Sequence, residues 1–211
     1  LGIVLMYSHL LREELAGDGP AQGLQDVDRI IRESERARSI VQGILNFARE
    51  KKVERSETDI NALVREAARG LAAIAAPGKV RVELGLDPEM KGHSVDASQL
   101  RQVFDNLLKN AVEVMPEGGT VRIDTSENDG GFLVTVSDTG PGIPEQALPH
   151  LFTPFFTTKQ VGRGTGLGLS VCYGIVKMHG GTISARNRPE GGARFDIAIR
   201  DPAPRAEGAA S

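Results

Sequence analysis

The chain lacks tryptophan, has a single cysteine and only 4% aromatic residues, and carries no excess of positive charge. The one cysteine, Cys172, excludes an internal disulfide and favours a reducing, cytoplasmic compartment. A net charge of −3 argues against binding to nucleic acid, whose protein partners are usually basic. The longest apolar runs, such as Leu71–Ala76, are too short to cross a bilayer, so we expect no membrane contact from these residues.

What is present is an ordinary globular composition, with 40% hydrophobic and 25% charged residues among 211. This length allows one or two domains with an aliphatic core. The chain opens at Leu1 inside a helical pattern, without a starting methionine, so we expect it to be a piece of a longer protein.

The first 54 residues predict two amphipathic helices. Apolar residues recur at three- and four-residue steps over residues 1–15 and 22–52, and Gly17–Pro20 breaks the pattern between them. Two helices cannot enclose so long a stripe, so we predict an antiparallel hairpin that dimerises into a four-helix bundle. A hairpin packed against its own downstream domain is the alternative.

The remaining chain alternates helical and strand patterns and predicts an α+β fold, a two-layer α/β sandwich. Residues 54–58 are polar and predict a hinge, which divides the chain into a hairpin (1–54), a sandwich domain (55–203) and a flexible tail (204–211). The predicted helices span about 60–74, 97–115 and 167–179, and the predicted strands span 79–87, 120–126, 132–138, 182–187 and 193–200.

Glycine is abundant and clusters in two loops, Asp138–Pro144 and Gly162–Leu169. No Gly-Lys-Ser/Thr follows either cluster, which excludes a Walker A loop, and residues 157–161 do not form the strand that a dinucleotide fingerprint requires. A loop that leads into a helix N-terminus can still hold a phosphate chain through its backbone N–H groups. A plain connector is the alternative for this loop.

Three polar residues favour the nucleotide interpretation. Asn106 and Asn110 share one helical face with apolar neighbours, and neutral amide oxygens can complete a Mg²⁺ shell with phosphate oxygens. The alternative is that both asparagines simply lie on a solvent-exposed face of the helix. Asp138 ends an apolar strand, where a buried carboxylate needs hydrogen-bond donors such as an adenine amino group. Guanine would present an acceptor there and be rejected; a turn cap is the other interpretation of Asp138.

Four motifs in this order resemble the boxes of sensor histidine kinases. Asp96-x-x-x-Leu100-x-Gln102-Val103-x-x-Asn106-Leu107-x-x-Asn110-Ala111 resembles the N box, and Asp138-x-Gly140-x-Gly142-Ile143-Pro144 the first glycine box. Phe152-Thr153-Pro154-Phe155-Phe156 resembles the F box, and Gly164-Thr165-Gly166-Leu167-Gly168-Leu169 the second glycine box. The resemblance implies a GHKL (Bergerat-fold) ATP-binding domain over about 55–200, after a dimerisation and phosphotransfer hairpin.

The resemblance also implies a role for each matching residue. Asn110 and Asn106 would hold Mg²⁺ against ATP, Asp138 would read adenine, and Gly140, Gly142 and Ile143 would shape the base pocket. Lys159 would contact the terminal phosphates, the backbone of Gly164, Thr165, Gly166, Leu167, Gly168 and Leu169 would cradle them, and Glu113 would touch the nucleotide edge or Lys159. Residues 145–165 would form a lid anchored by Phe152, Phe155 and Phe156, which could equally be core residues.

The implied activity is an ATP-dependent protein histidine kinase that relays phosphate to the aspartate of a response-regulator receiver domain. Leu1-Gly2 resembles the end of the acceptor segment, which would place the acceptor histidine about six residues upstream of Leu1. This piece alone would then not autophosphorylate, and the longer protein could be membrane-anchored. Gly192-Ala193 departs from the Gly-Ser/Thr of many relatives, which removes one hydroxyl near the adenine site.

Other functions share the same pocket. A GHKL ATPase of the gyrase or chaperone kind uses a glutamate one turn before the magnesium asparagine, and here that position is Asn106. A Ser/Thr kinase of the anti-sigma type lacks the long hairpin. A nucleotide-gated dimerisation module without catalysis stays open as an alternative.

Overall fold

A computed structural model describes residues 2–18, 23–34, 37, 53–74, 79–128, 130–159 and 165–202. The chain divides into two compact units: Leu1–Lys51 with Leu151–Val171, and Lys52–His150 with Cys172–Ser211. Within the described ranges, no helix is long and apolar enough to cross a membrane. Residues 38–52 of the second predicted helix, and the predicted tail, lie outside the described residues.

The N-terminal residues form two helices, α1 (Gly2–Asp18) and α2 (described over 23–34). Leu5 of α1 is buried with Val27 and Ile31 of α2, and Leu15 packs on the same cluster. The helix α1 continues past the predicted end at residue 15, so the break begins after Asp18. Other apolar side chains of α1 are exposed, Val4 at 47% among them. One hairpin therefore covers only part of the apolar stripe.

The other unit is built on a mixed five-stranded sheet in the order β2–β4–β5–β7–β6. Its strands are β2 (Val80–Gly85), β4 (Gly119–Asn128), β5 (Gly131–Asp138), β6 (Thr182–Asn187) and β7 (Ala193–Arg200). The pair β2–β4 is parallel, and the other three pairs are antiparallel. The predicted strands are confirmed, and the predicted bounds of β6 and β7 match the structure residue by residue.

Helices complete the predicted α+β fold. They are α3 (Ile60–Ile74), α4 (Ala97–Glu113) and α5 (Gly168–Met178), and a 3₁₀ helix spans Glu145–His150. The helices α3 and α4 pack on each other, and both contact the sheet. Ile123, Val136 and Phe195 are neighbours across three strands and are all buried. The core is mainly aliphatic, as the composition predicts, with Phe104 and Phe132 as its largest fully buried side chains.

A second, two-stranded sheet lies where the sequence predicted a polar hinge. Strand β1 (Ser56–Asp59) pairs antiparallel with β3 (Gly92–Val95). Its side chains are mostly exposed, so it has no hydrophobic alternation that sequence analysis could detect. The guanidinium of Arg55 donates to the carbonyls of Ser94 (2.6 Å) and His179 (3.1 Å) and fixes the start of this strand.

Two aspartates cap the helices α3 and α4. Asp59 Oδ1 accepts from the N–H of Ala62 at 2.9 Å at the start of α3. Asp96 caps α4 and accepts from Gln99 N–H, Gln99 Nε2, Ser98 Oγ and Glu54 N–H. Burial raises the pKa of Asp96, but these hydrogen bonds outweigh it and hold the pKa below its usual value.

The end of α5 is joined to the start of α4 by His179, which is buried. Its Nε2 accepts from the N–H of Asp96 at 3.1 Å, and its Nδ1 lies 2.8 Å from the carbonyl of Ile175. The ring is therefore the neutral tautomer with the proton on Nδ1. Burial lowers the pKa of His179.

Candidate functional site

Asp138 ends β5 on the side of the sheet that faces the helices, because it shares that face with Val136 and Val134. It is 4% exposed, which confirms the predicted burial. Its Oδ1 accepts from the N–H of Gly140 (2.9 Å) and of Ala193 (3.1 Å), whereas none of the described residues donates to Oδ2. The carboxylate is thus fixed through one oxygen, and the other oxygen can accept from a ligand. The backbone N–H of Ala193 contributes here, although its side chain carries no hydroxyl.

The first glycine loop lies against the C-terminal end of α4. A Cβ at Gly140 would lie 3.0 Å from Asp138 Oδ1 and 3.2 Å from both Val114 Cγ2 and Met115 Cγ. Any other residue would push on the carboxylate or on the end of the helix, so close approach explains this glycine. Farther along the loop, Gly142 and Ile143 are partly buried. The loop therefore lies between the Asp138 carboxylate and the C-terminal end of α4.

The predicted amides lie on α4 close to this loop. The carbonyl of Asn110 accepts from the N–H of Val114 at 3.2 Å, so Asn110 is one turn before the residue that meets Gly140. Asn106 lies one further turn back, and both side chains are partly exposed. The structure thus brings the predicted asparagines, Asp138 and the first glycine loop to one end of the sheet.

Cys172, which the sequence analysis did not connect with the site, orients Asn106. The thiol donates to the carbonyl of Val103 at 3.8 Å, and the side chain of Asn106 hydrogen-bonds the sulfur. Burial raises the pKa of Cys172 to about 12, against the lowering effect of the Asn106 bond. Since the thiol proton is given to Val103, the sulfur accepts from the Asn106 amide nitrogen, which leaves Oδ1 of Asn106 directed elsewhere.

The residues present fit a metal that arrives with a nucleotide better than a resident metal. Within the described ranges, no three His, Cys, Asp or Glu side chains are grouped so that they could hold a metal ion. Asn106 and Asn110 offer neutral oxygens, which need phosphate oxygens and water to complete a Mg²⁺ shell. Glu113, also predicted for the site, is in the last turn of α4 and pairs with Lys109 at 3.9 Å.

The remaining predicted residues belong to the other compact unit. Gly164 lies outside the described residues, and Gly168 begins α5, as predicted for a loop that leads into a helix. The Oγ1 of Thr165 accepts from Leu167 N–H at 3.4 Å, and the carbonyl of Gly166 accepts from Phe155 N–H at 2.9 Å. Leu167 is buried and Leu169 is partly buried. Lys159 is partly buried, and its N–H donates to Thr157 Oγ1 at 3.2 Å.

The three phenylalanines of the F box are not buried core residues. Phe155 is 53% exposed and has a left-handed backbone with φ of +67°. Phe152 and Phe156 are partly buried. The hydrogen bond from Phe155 to Gly166 therefore ties the F box to the second glycine box through backbone atoms at a strained residue.

An arginine-rich hollow of about 520 Å³ also lies on this sheet. It is lined by Arg122, Asp124, Ser137, Arg186, Asn187, Arg188, Pro189, Glu190 and Arg194. Its arginines are paired with carboxylates, for example Arg122 with Asp124 at 2.8 Å and Arg188 with Glu190 at 2.7 Å. These pairs largely neutralise the cluster, so it does not compete with the Asp138 region as a phosphate site.

Comparison with known families agrees with this geometry. Residues 95–203 match the model of the histidine kinase-, DNA gyrase B- and HSP90-like ATPases. The chain belongs to this ATPase family. The matched region runs from β3 to the end of the sheet and includes Asp138, both asparagines and both glycine boxes. It confirms the resemblance of the motifs to the ATP-binding domain of histidine kinases.

Individual relatives narrow the resemblance within the ATPase family. The alginate biosynthesis sensor protein KinB of Pseudomonas aeruginosa is 34% identical over 92% of this chain and 33% of its own length. The structure of full-length ShkA in complex with AMPPNP matches 94% of this chain and 42% of that chain, at 25% identity and a TM-score of 0.76. The histidine kinase ThkA in complex with the response regulator protein TrrA matches 95% of this chain and 57% of that chain, at 29% identity and a TM-score of 0.73.

These matches cover the hairpin as well as the ATPase domain. The chain spans between 17% and 40% of the length of the curated relatives that it matches. It corresponds to one part of such sensor kinases.

Proposed function

We propose that this chain is the catalytic part of a sensor histidine kinase. It binds Mg-ATP and transfers the γ-phosphate to a histidine outside these residues, for relay to the aspartate of a response regulator. The observation that carries the proposal is the fixed carboxylate of Asp138, which lies beside the first glycine loop at the C-terminal end of the helix that carries the two asparagines. Homology with sensor histidine kinases over most of the chain supports the same activity.

Adenine recognition follows from the geometry of Asp138. Its Oδ1 is occupied by two backbone N–H groups, so Oδ2 accepts from the exocyclic amino group of the base. Guanine carries an oxygen at that position and would leave the buried carboxylate without a donor. In this proposal Gly140, Gly142 and Ile143 form the wall of the base pocket.

The amides of α4 hold the metal that accompanies the nucleotide. Asn110 and Asn106 contribute oxygens, and bound Mg²⁺ supplies charge neutralisation on the phosphates. Glu113, three residues after Asn110, borders the nucleotide. Asn106 stands where the hydrolytic members carry a glutamate, and an amide cannot act as the general base that activates water.

The phosphate chain is proposed to contact the residues of the second glycine box. Backbone N–H groups of Gly164, Thr165, Gly166, Leu167, Gly168 and Leu169 bind phosphate oxygens, as at other helix N-termini. Lys159 adds a positive charge for the terminal phosphates. The support for these roles is the motif match, together with the start of α5 at Gly168.

In this proposal residues 1–54 form the helical hairpin, which pairs with the hairpin of a second copy of the chain. Met6, Tyr7 and Leu10 of α1 are each more than half exposed, and a four-helix bundle would cover such side chains. The receiver domain of a response regulator is the second partner, and the complex of ThkA with TrrA supports this partner. Since ATP and receiver domains occur inside cells, the proposal places this part of the protein in the cytoplasm.

Calorimetric titration of the 211-residue chain with ADP and GDP, with and without Mg²⁺, tests the pocket. We expect ADP binding that Mg²⁺ strengthens, no GDP binding, and loss of ADP binding in Asp138→Ala. No ADP binding by folded protein would overturn the proposal.

Phosphotransfer needs a separate assay. The chain is incubated with ATP and a separately supplied hairpin that contains the acceptor histidine, and acid-labile phosphate on that hairpin is measured. Nucleotide binding without transfer would favour a nucleotide-gated dimerisation module. ATP hydrolysis without transfer would favour an ATPase.

A further inference from the structure

The turn between β6 and β7 holds both ends of the glycine loop that forms the candidate adenine pocket. Asn187 is the last residue of β6, and both polar atoms of its side chain bind Ile143, which is 44 residues away in sequence. Its Oδ1 accepts from the N–H of Ile143, and its Nδ2 donates to the carbonyl of the same residue, both at 2.7 Å. One exposed side chain thus satisfies both backbone groups of a pocket residue.

The next residue along the turn holds the other end of the loop. Arg188 Nη1 donates to the backbone carbonyl of Asp138 at 2.9 Å. Its Nε and Nη2 both donate to Glu190 Oε1, at 3.1 and 2.7 Å, so the guanidinium is oriented from its far side. This hydrogen bond from Arg188 is also the main reason that the pKa of Glu190 lies below its usual value.

We propose that Asn187 and Arg188 are positioning residues for base selection, which act on Ile143 and Asp138 without touching the nucleotide. The proposal rests on the proposed reading of adenine by Asp138. The Oδ2 atom must meet the amino group of the base within a few tenths of an ångström and at the correct angle. Both the backbone of Asp138 and the far end of its loop are held from the β6–β7 turn, so this turn sets that alignment.

The chemistry at position 187 requires an amide. Ile143 presents a donor and an acceptor, and only a side chain with an acceptor and a donor on one carbon can bind both. An aspartate keeps the acceptor but places a carboxylate oxygen against the carbonyl of Ile143, where the two oxygens repel. The backbone of the glycine loop passes close to the Asn187 side chain at Gly142, whose φ is +78°. A Cβ at this position would lie 2.9 Å from Asn187 Oδ1, so a glycine is needed here.

The alternative is that this turn only stabilises the fold, and base selectivity separates the two explanations. Dissociation constants for ADP and for inosine diphosphate, which has an oxygen in place of the adenine amino group, are measured by calorimetry with Mg²⁺ at a temperature where every variant is folded. The selectivity ratio is the dissociation constant for inosine diphosphate divided by that for ADP, and it reports the alignment of Asp138 with the amino group of adenine. General destabilisation of a folded protein would weaken both nucleotides by the same factor.

For Asn187→Asp we expect ADP binding to weaken about tenfold while binding of inosine diphosphate changes little, so the selectivity ratio falls. Arg188→Gln should lower the ratio in the same direction. The matched controls are Asn128→Asp, which adds the same charge at another exposed strand end, and Arg186→Gln, which removes an arginine from β6. Both controls should keep the wild-type ratio.

Three outcomes decide the matter. A fall in the selectivity ratio for the two turn variants alone supports the proposal. An unchanged ratio, or an equal loss of affinity for both nucleotides, overturns it and leaves the turn with a structural role. If the wild-type chain binds ADP no better than inosine diphosphate, the reading of adenine by Asp138 fails instead.

Discussion

The helix cap at Asp96 gives a quantitative test of how α4 is anchored, because this carboxylate is buried and accepts four hydrogen bonds. In Asp96→Ala the cap bond to the N–H of Gln99 is lost, which costs about 1 kcal/mol in typical helices. The buried amide Nε2 of Gln99 also loses its acceptor, and leaving such a donor unsatisfied costs about 1–3 kcal/mol. We expect a total loss of about 3 kcal/mol, measured by urea unfolding followed by circular dichroism.

The other capping aspartate of this domain is the matched control. Asp59 is exposed and accepts one hydrogen bond, from Ala62, so Asp59→Ala should cost only about 1 kcal/mol. Both variants remove one negative charge and one helix cap, and they differ in burial and in the number of donors left behind. Equal losses of stability in the two variants would refute the reasoning that the buried network, rather than capping alone, holds α4 in place.

Three further outcomes follow from single contacts. Gly192→Ala should weaken ADP binding, measured by calorimetry, much more than Gly191→Ala. Both glycines have a positive φ, of +86° and +98°, so both substitutions strain the backbone, but only the Cβ at Gly192 would lie 1.9 Å from the carbonyl oxygen of Asp138, whereas a Cβ at Gly191 meets nothing within 4 Å. Because the pKa of His179 is lowered in the folded protein, its stabilising contribution is complete above about pH 6.5 and is lost as the pH falls through the folded-state pKa. In His179→Gln the free energy of unfolding, measured in urea, should therefore depend less on pH below 6.5 than in the wild type. The same pH dependence in both proteins would contradict this. With a pKa of about 12, Cys172 should react with a thiol reagent at pH 8 only after unfolding, and rapid reaction in the native state would contradict its burial.

The larger elements of the fold could be predicted because they bury one regular face. Thr182–Asn187 and Ala193–Arg200 alternate apolar and polar residues, and both strands lie where the pattern predicts them. By contrast, β1 carries exposed polar side chains, so its sequence resembles a hinge. Its strand conformation depends on pairing with β3, more than thirty residues farther along the chain, and on the side chain of Arg55. Neither contact leaves a local pattern in the sequence.

The residues of the candidate site were likewise only partly predictable from the sequence. Asp138, Asn106 and Asn110 could be predicted because a carboxylate or an amide beside apolar residues needs a polar partner. The contribution of Ala193 is a backbone N–H, which no residue type reveals. Asn187 is an exposed amide at a strand end, and its composition alone indicates only a turn.

The residue that would contact the base and the residues that position it have different roles. Asp138 presents the atom that the base would meet, so its chemistry is fixed by the ligand and recurs as a motif. Asn187, Arg188 and Ala193 fix where that atom lies, and any group that donates to the same backbone position from the same direction could do so. A substitution in the β6–β7 turn can therefore change base selectivity while every motif residue stays in place. A search for intact boxes alone would pass such a variant as functional, whereas the hydrogen bonds to Asp138 and Ile143 predict its defect.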